Sequence, residues 1–226
     1  MNHANKNRCI FCGGEHLYHV STTQYRCAVC QKTWSHRKIK HAQRILDAFL
    51  DDLSVQKASQ SLTLNYATVA KRYETFRSLL IQESEKRYYD VASFQEYDEY
   101  YFLPSSKKGD AEHLFEAIGI LGMLYNEKVH TLLLPNHFEH LKQSLEENDK
   151  SSYATFLHRH KVAKLQSFDS PLTLFWHFLE QFLHRFKGIT KKNFIYYLKE
   201  AEFKFNYDKK EQRLLLETLL KEHSYM

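Results

Sequence analysis

The cysteines fall in two pairs, Cys9 with Cys12 and Cys27 with Cys30, and no other cysteine occurs in the chain. Within each pair two residues intervene, and 14 residues separate the pairs. A Cys-x-x-Cys turn presents two thiolates from one tight bend, and two such turns facing each other complete a tetrahedron of sulfur ligands. That donor set suits a structural Zn2+ about 2.3 Å from each sulfur. Gly13 and Gly14 follow the first pair, where a tight turn calls for positive φ. The segment between the pairs has the length of a short hairpin. Such a small module buries little core, so metal binding is expected to be its main folding energy. A redox dithiol needs one pair and leaves the other without a role. His3, His16 and His19 lie nearby as substitute ligands, but the four thiols already complete the set.

The residues that follow suggest a second kind of chemistry. Residues 1–87 hold 14 Lys and Arg against 7 Asp and Glu, whereas residues 88–226 hold 18 against 20. The formal surplus of +5 therefore belongs to the front of the chain, where it suits a polyanion. Arg37, Lys38, Lys40 and Arg44 are spaced to track a phosphate backbone. Behind them the spacing predicts a short helix ending at Leu62, with Ser54 as its N-cap. Thr63-Leu64-Asn65 reads as a turn, and a second helix is predicted over Tyr66–Leu80. Val69, Tyr73, Phe76 and Leu80 form the apolar stripe of that helix. Tyr66, Thr68, Lys71, Arg72 and Arg77 lie off the stripe. This pattern is that of a helix-turn-helix over residues 37–87, with Tyr66, Thr68, Lys71 and Arg72 nearest the bases of double-stranded DNA. The bland alternative is a helical hairpin with a solvated charged face.

Positioning these groups takes several elements. Gly and Pro number six and three, which argues against an all-β sandwich or a disordered chain. Residues 1–36 read as a ribbon with short β-like stretches such as Tyr25–Cys27. From residue 91 the pattern changes. Ser93–Leu103 alternates like a strand, and Ala117–Tyr125 and Val129–Leu134 read as a hairpin joined at Asn126-Glu127-Lys128. Pro171 opens one helix, Lys191–Asn206 makes another and Lys210–His223 a third. The apolar run Leu214–Leu220 is expected to dock on the core or on a partner chain, as in a homodimer or higher oligomer. No stretch of about 18 apolar residues predicts a membrane span. Met1 to Arg8 is polar and basic, unlike a secretory signal, so the expected place is the cytoplasm. The fold class expected is mixed α/β.

With those elements in order, the chain resembles the zinc-ribbon DDE transposases of bacterial insertion sequences. The resemblance rests on the four-Cys ribbon, the helix-turn-helix, and a strand bearing Asp98-Glu99-Tyr100-Tyr101-Phe102. It rests also on Phe175-Trp176 with Arg185-Phe186-Lys187-Gly188, and on Leu198-Lys199-Glu200-Ala201-Glu202-Phe203 closing at Asn206. It is distinctive at Cys9–Ser35, Tyr97–Phe102, Gly119–Pro135 and Phe175–Asn206, and poor from Phe138 to Thr173. It implies an RNase H-like α/β domain over residues 91–226. It also implies phosphoryl transfer at DNA ends by two metal ions, for which Mg2+ suits carboxylates and phosphates.

Carried across position by position, the motif is incomplete. Asp98 falls on the family's first metal-binding aspartate. Strand alternation sends Asp98 and Glu99 to opposite faces, so one of them joins a given site. For the second aspartate the chain offers Asn148-Asp149, of which Asp149 is the candidate. The third carboxylate position holds Thr173, and the position of a DNA-contacting basic residue holds Glu180. Asp169 lies one helical turn before Thr173, with Pro171 between them. The preferred reading is a transposase-like DNA-binding protein with impaired or lost catalysis. The alternatives are an active Mg2+-dependent transposase with a relocated third carboxylate, and a zinc-dependent transcription regulator. As plain surface, Asp98 would be a solvated strand residue, and Glu200 and Glu202 a solvated helix face.

Overall fold

The computed structural model describes residues 8–89, 93–104, 107, 113, 116–135, 170–186 and 188–223. Among them are six helices and two three-stranded antiparallel sheets, a mixed class. They divide into two compact units, one within Met1–Phe76 and Lys209–Met226, the other Arg77–Asp208.

The first unit begins with strands β1 (Leu17–Ser21), β2 (Gln24–Cys27) and β3 (Thr33–Trp34), in that order across the sheet. Helix α1 (His36–Leu50) follows, and its second half is the buried half, through Ile45, Leu46, Ala48, Phe49 and Leu50. Helix α2 (Val55–Leu62) starts where the sequence predicts. The Ser54 hydroxyl accepts the Lys57 amide at 3.3 Å, a cap of the kind worth about 1 kcal/mol. Thr63 ends it in the left-handed region at φ 55°, and Asn65 Oδ1 accepts the Ala67 amide at 2.8 Å to open helix α3 (Tyr66–Tyr89). The expected end at Leu80 is passed because no Gly or Pro interrupts the next nine residues. Val69, Tyr73, Phe76 and Leu80 are all buried, as their spacing requires. Phe49 of α1 meets Tyr73 and Phe76 of α3 edge-on, with centroids at 5.0 and 5.2 Å. Rings buried in this way contribute about 1.5–3 kcal/mol each.

The second unit is built on a meander of β4 (Glu96–Phe102), β5 (Ile118–Tyr125) and β6 (Lys128–Leu133), with β5 in the middle. The β5–β6 hairpin is the expected one, with a tighter turn. Tyr125 pairs with Lys128, so the loop is Asn126-Glu127 alone, at φ 48° and 61°. Two successive left-handed residues match the twist of the flanking strands. Helices α4 (Pro171–Leu183) and α5 (Phe194–Asn206) complete the core. Pro171 sits in the first turn of α4, and the Ser170 hydroxyl caps it by accepting the Thr173 amide. Tyr100, Phe102, Ile120, Leu124 and Val129 share one core with Phe175, Trp176 and Leu179 of α4 and Phe194, Leu198 and Ala201 of α5.

The last helix, α6 (Lys209–Glu222), belongs to the first unit and not to the expected domain of residues 91–226. The reason is local. Lys209 donates to the Leu50 carbonyl at the end of α1, and Arg213 pairs with Asp47. Leu216, Leu219 and Leu220 are buried, so this run docks within its own chain. No described helix is long and apolar enough to cross a membrane.

The tightest contact in the second core lies at Gly122 of β5. A Cβ there would stand 2.5 Å from Trp176 Cζ2 and 3.2 Å from Leu172 Cδ2. Gly122→Ala is therefore expected to destabilise the protein by about 1–3 kcal/mol through overpacking, read as a lower urea midpoint at unchanged slope. A midpoint equal to the parent's would contradict this close packing of Trp176 on β5.

Candidate metal centre and the acidic residues of the second unit

The two Cys-x-x-Cys turns are built alike. In the first, the Cys9 amide donates to the Gly14 carbonyl at 2.8 Å and the Gly13 amide to the Cys9 carbonyl at 2.9 Å. In the second, the Cys27 amide donates to the Lys32 carbonyl and the Gln31 amide to the Cys27 carbonyl, both at 3.0 Å. The amides of Phe11 and Val29 point at the sulfurs of Cys9 and Cys27, at 3.4 and 3.3 Å. Each turn closes on a left-handed residue, Gly13 at φ 72° and Gln31 at φ 61°. The second closure carries no glycine and so has no signal in the residue types; Gln31 is held by its own side-chain bond to the Ala28 carbonyl at 2.7 Å. Gly14 leaves room above the sulfurs, since a Cβ would lie 3.4 Å from both Cys12 and Cys27 Sγ.

These turns bring all four sulfurs within 4.8 Å of one another, positioned to hold a metal ion. The Cys9–Cys30 and Cys12–Cys27 separations are both 3.6 Å. A tetrahedral ion with bonds of about 2.3 Å places its sulfurs about 3.8 Å apart, so the donors fit the geometry of zinc. All four cysteines are free thiols. Hydrogen bonds from the Cys30 and Val29 amides pull Cys27 down to about 7. Cys12 receives the Gly14 amide, which lowers it, but burial and the three neighbouring sulfurs push it up to about 12. Crowded thiols resist joint ionisation until a cation joins them. His19 takes no part in the set and packs at a tilt of 54° against Tyr25, with ring centroids at 4.5 Å, while His3 lies outside the described residues. Beneath the site, Cys9, Cys27 and Trp34 form a small core with Phe11, Leu17, Tyr25 and Ile39.

The basic residues follow directly. Arg37, Lys38, Lys40 and Arg44 are exposed on the first nine residues of α1. No acidic residue stands in the first turn of that helix, where the macrodipole disfavours cations. At the start of α3, Tyr66, Thr68 and Lys71 are exposed and Arg72 is half-buried.

The carboxylates of the second unit are arranged for structure. Asp98 is half-buried on β4, where its Oδ2 accepts the Trp176 indole N–H at 3.0 Å and its Oδ1 accepts the Glu99 amide at 2.9 Å. It is thus tied into the core and is not a plain solvated strand residue. Glu99 is exposed on the other face and accepts the Tyr101 hydroxyl at 2.8 Å, as strand alternation predicts. Trp176 stacks on Tyr100 at 4.9 Å and 13°, and the Tyr100 hydroxyl donates to Glu180. Burial, reinforced by Glu180, holds the Tyr100 phenol far above its ordinary range. Glu180, placed by the resemblance where DNA would be contacted, is instead half-buried against the sheet. The Thr173 hydroxyl lies 3.2 Å from that of Ser170, at the cap of α4. Asn148, Asp149 and Asp169 lie outside the described residues. Among the described residues, the four cysteines are the one group of His, Cys, Asp and Glu side chains gathered closely enough to hold a metal.

Glu200 and Glu202 do not form a solvated face; both are buried, along with Lys199 and Lys204. Glu202 accepts from the Thr131 amide and hydroxyl, from Ser84 and from Lys199, all between 2.6 and 2.8 Å. Glu200 pairs with Arg77 at 2.7 Å and Lys204 at 3.5 Å, and the Arg77 guanidinium lies over the Tyr197 ring at 4.3 Å. The i,i+3 spacing of Lys199 and Glu202 was visible in the sequence, but their partners on α3 and β6 are distant in the chain and were not. Arg77, off the apolar stripe of its helix, is buried where it makes this pairing.

Comparison with family models, with curated proteins and with solved structures returned no match.

Two groups of the second unit couple its stability to pH. Burial, foremost, pulls His130 below its ordinary 6.5, so the unfolded chain takes up this proton first and stability falls as pH drops below 6.5. Burial alone would raise Glu202, but the Lys199 charge and the bonds from Lys199, Thr131 and Ser84 hold it below 4.5. Its contribution is present above 4.5 and is lost as pH falls through the lower folded value. Urea unfolding across pH should therefore weaken in two stages, and His130→Gln should flatten the upper one alone. Equal slopes in parent and variant between pH 5 and 6.5 would refute this assignment of His130.

Proposed function

We propose that this is a zinc-containing, DNA-binding protein of the transposase-like type, whose ribbon and helix-turn-helix engage double-stranded DNA. The observation that carries the reading is the four-thiol site followed at once by α1. That helix exposes Arg37, Lys38, Lys40 and Arg44, with no balancing acid in its first turn. Arg37 and Lys38, in that turn, oppose the helix dipole, and a polyanion relieves the conflict. The short α2, the three-residue turn and the exposed start of α3 supply an element of the size that enters a major groove, with Tyr66, Thr68 and Lys71 leading. Zn2+ is the metal suited to four thiolates at these separations, and its role is structural, since the protein fills all four positions.

In the second unit, the proposed RNase H-like domain keeps a shell and lacks working chemistry. Asp98 is engaged by the Trp176 indole, and Thr173 stands where a third carboxylate would be needed. A threonine hydroxyl does not replace a carboxylate as a ligand for Mg2+. The unit serves instead as a rigid body carried by the DNA-binding front.

Two measurements test this. The purified chain should hold one Zn2+ by elemental analysis, and chelation or Cys27→Ser should abolish its gel shift on duplex DNA. Lys71→Ala with Arg72→Ala should weaken that shift about tenfold or more, with a shallower salt dependence. A shift unaffected by metal loss would defeat the reading. With Mg2+ or Mn2+, neither the parent nor Asp98→Ala should cleave or join DNA. Cleavage by the parent that disappears in the variant would establish the catalytic alternative.

A further inference from the structure

The ribbon sheet has two faces of different character. Leu17, Tyr25, Cys27 and Trp34 belong to the small core beneath the sulfurs. The pairing of the strands places Tyr18 opposite Arg26, and Arg26 opposite Thr33. Strand alternation puts this row on the face away from Leu17, Tyr25 and Trp34. All three are exposed, and Tyr18 keeps 63% of its surface open. Val20, unpaired at the irregularity after His19, is 54% open. An aromatic ring, a guanidinium and a hydroxyl therefore form one cross-strand row on an open sheet face. No packing or hydrogen bond of the ribbon core uses that row.

The charge of the neighbouring sequence bears on what fits there. Residues 8–50 hold seven Lys and Arg against two Asp and Glu, a surplus of five within 43 residues. That equals the formal surplus of the whole chain. An anionic ligand with flat apolar faces matches both features. A duplex hides its base faces by stacking, whereas an unpaired strand offers them, and base stacking on an exposed aromatic is insensitive to sequence.

The geometry points to the outer face of the ribbon sheet as a binding site for unpaired, single-stranded DNA. Tyr18 stacks a base, Arg26 contacts the adjoining phosphate, and Thr33 supplies a hydrogen-bonding hydroxyl. The site rests on the proposal that this protein binds DNA, and gives it a second mode, separate from duplex reading by α3. The row consists of surface side chains, so substituting them should leave the metal site and its core intact.

The test uses the full, zinc-loaded chain and fluorescence anisotropy on a labelled oligonucleotide, once single-stranded and once as the matching duplex. Tyr18→Ala is expected to weaken single-strand binding about tenfold, with duplex affinity and zinc content unchanged. Tyr18→Phe should restore it, because the ring suffices for stacking. Arg26→Ala should weaken single-strand binding and lower its salt slope by about 0.7, the loss of one phosphate contact. Lys71→Ala with Arg72→Ala should have the opposite pattern, weakening the duplex alone. The site is overturned if Tyr18→Ala binds the single strand as the parent does, or loses both DNA forms equally. A parent that binds duplex but no single strand overturns this site and leaves the broader proposal standing; a parent that binds neither overturns both.

Discussion

Four thiols within 4.8 Å of one another form an arrangement that resists full ionisation by itself. Burial and the neighbouring sulfurs push Cys12 up to about 12 against the Gly14 amide, while Cys27, favoured by backbone amides, falls to about 7. A divalent cation removes that conflict and turns mutual repulsion into shared attraction. The backbone of both turns is already arranged for it, with amides aimed at sulfur and each turn closed in the left-handed region. The core beneath has Cys9, Cys27 and Trp34 as its buried members, too little to hold three short strands alone. The four sulfurs are positioned to supply through a metal ion the cohesion that so small a core lacks.

The second unit is organised by a different constraint, the burial of charge. Lys199, Glu200, Glu202 and Lys204 lie on one helix and are all buried, which is costly unless each finds partners. They find them on the later turns of α3, through Arg77 and Ser84, and on β6, through Thr131. Removing one member of such a set leaves an uncompensated charge, at a cost of about 3–5 kcal/mol. The pairs consequently fix which turn of α5 faces β6 more strictly than apolar packing would. Asp98 follows the same logic on a smaller scale, since its bond to the Trp176 indole aligns α4 over β4 and β5. Carboxylates committed in this way are less free to gather two hard cations.

Much of this was legible in the residues because it is local. The Cys spacing, Ser54 before α2, Pro171 in α4 and the paired apolar runs around Asn126-Glu127 each act within a few positions, and each element forms where its signal lies. What stayed hidden depends on distant partners. Glu200 and Glu202 look like surface residues until Arg77 and Thr131 arrive from elsewhere in the chain. Gln31 takes a glycine's conformation without being glycine, held by a side-chain bond that no spacing rule foretells. Helix α6 follows the second unit in sequence but joins the first, through ion pairs and apolar contacts that only the fold discloses. The sequence marks which residues are capable of chemistry, and burial decides which of them are available for it.

That distinction bears on the proposed division of labour between the units. In the second unit, Asp98, Glu180, Glu200 and Glu202 are occupied by indole, hydroxyl, guanidinium and ammonium donors, so their charge is spent on cohesion. In the first, the cations of α1 are exposed, and Arg37 and Lys38 in its first turn are set against the helix dipole, so their charge costs local stability. Charges that stabilise a fold without a ligand need no partner to account for them. Charges that strain the start of a helix do, and in the proposed reading duplex or unpaired DNA would supply the compensating negative field. On that reading, a ribbon held by metal coordination would offer a fixed sheet face beside a helix whose first turn gains from a polyanion.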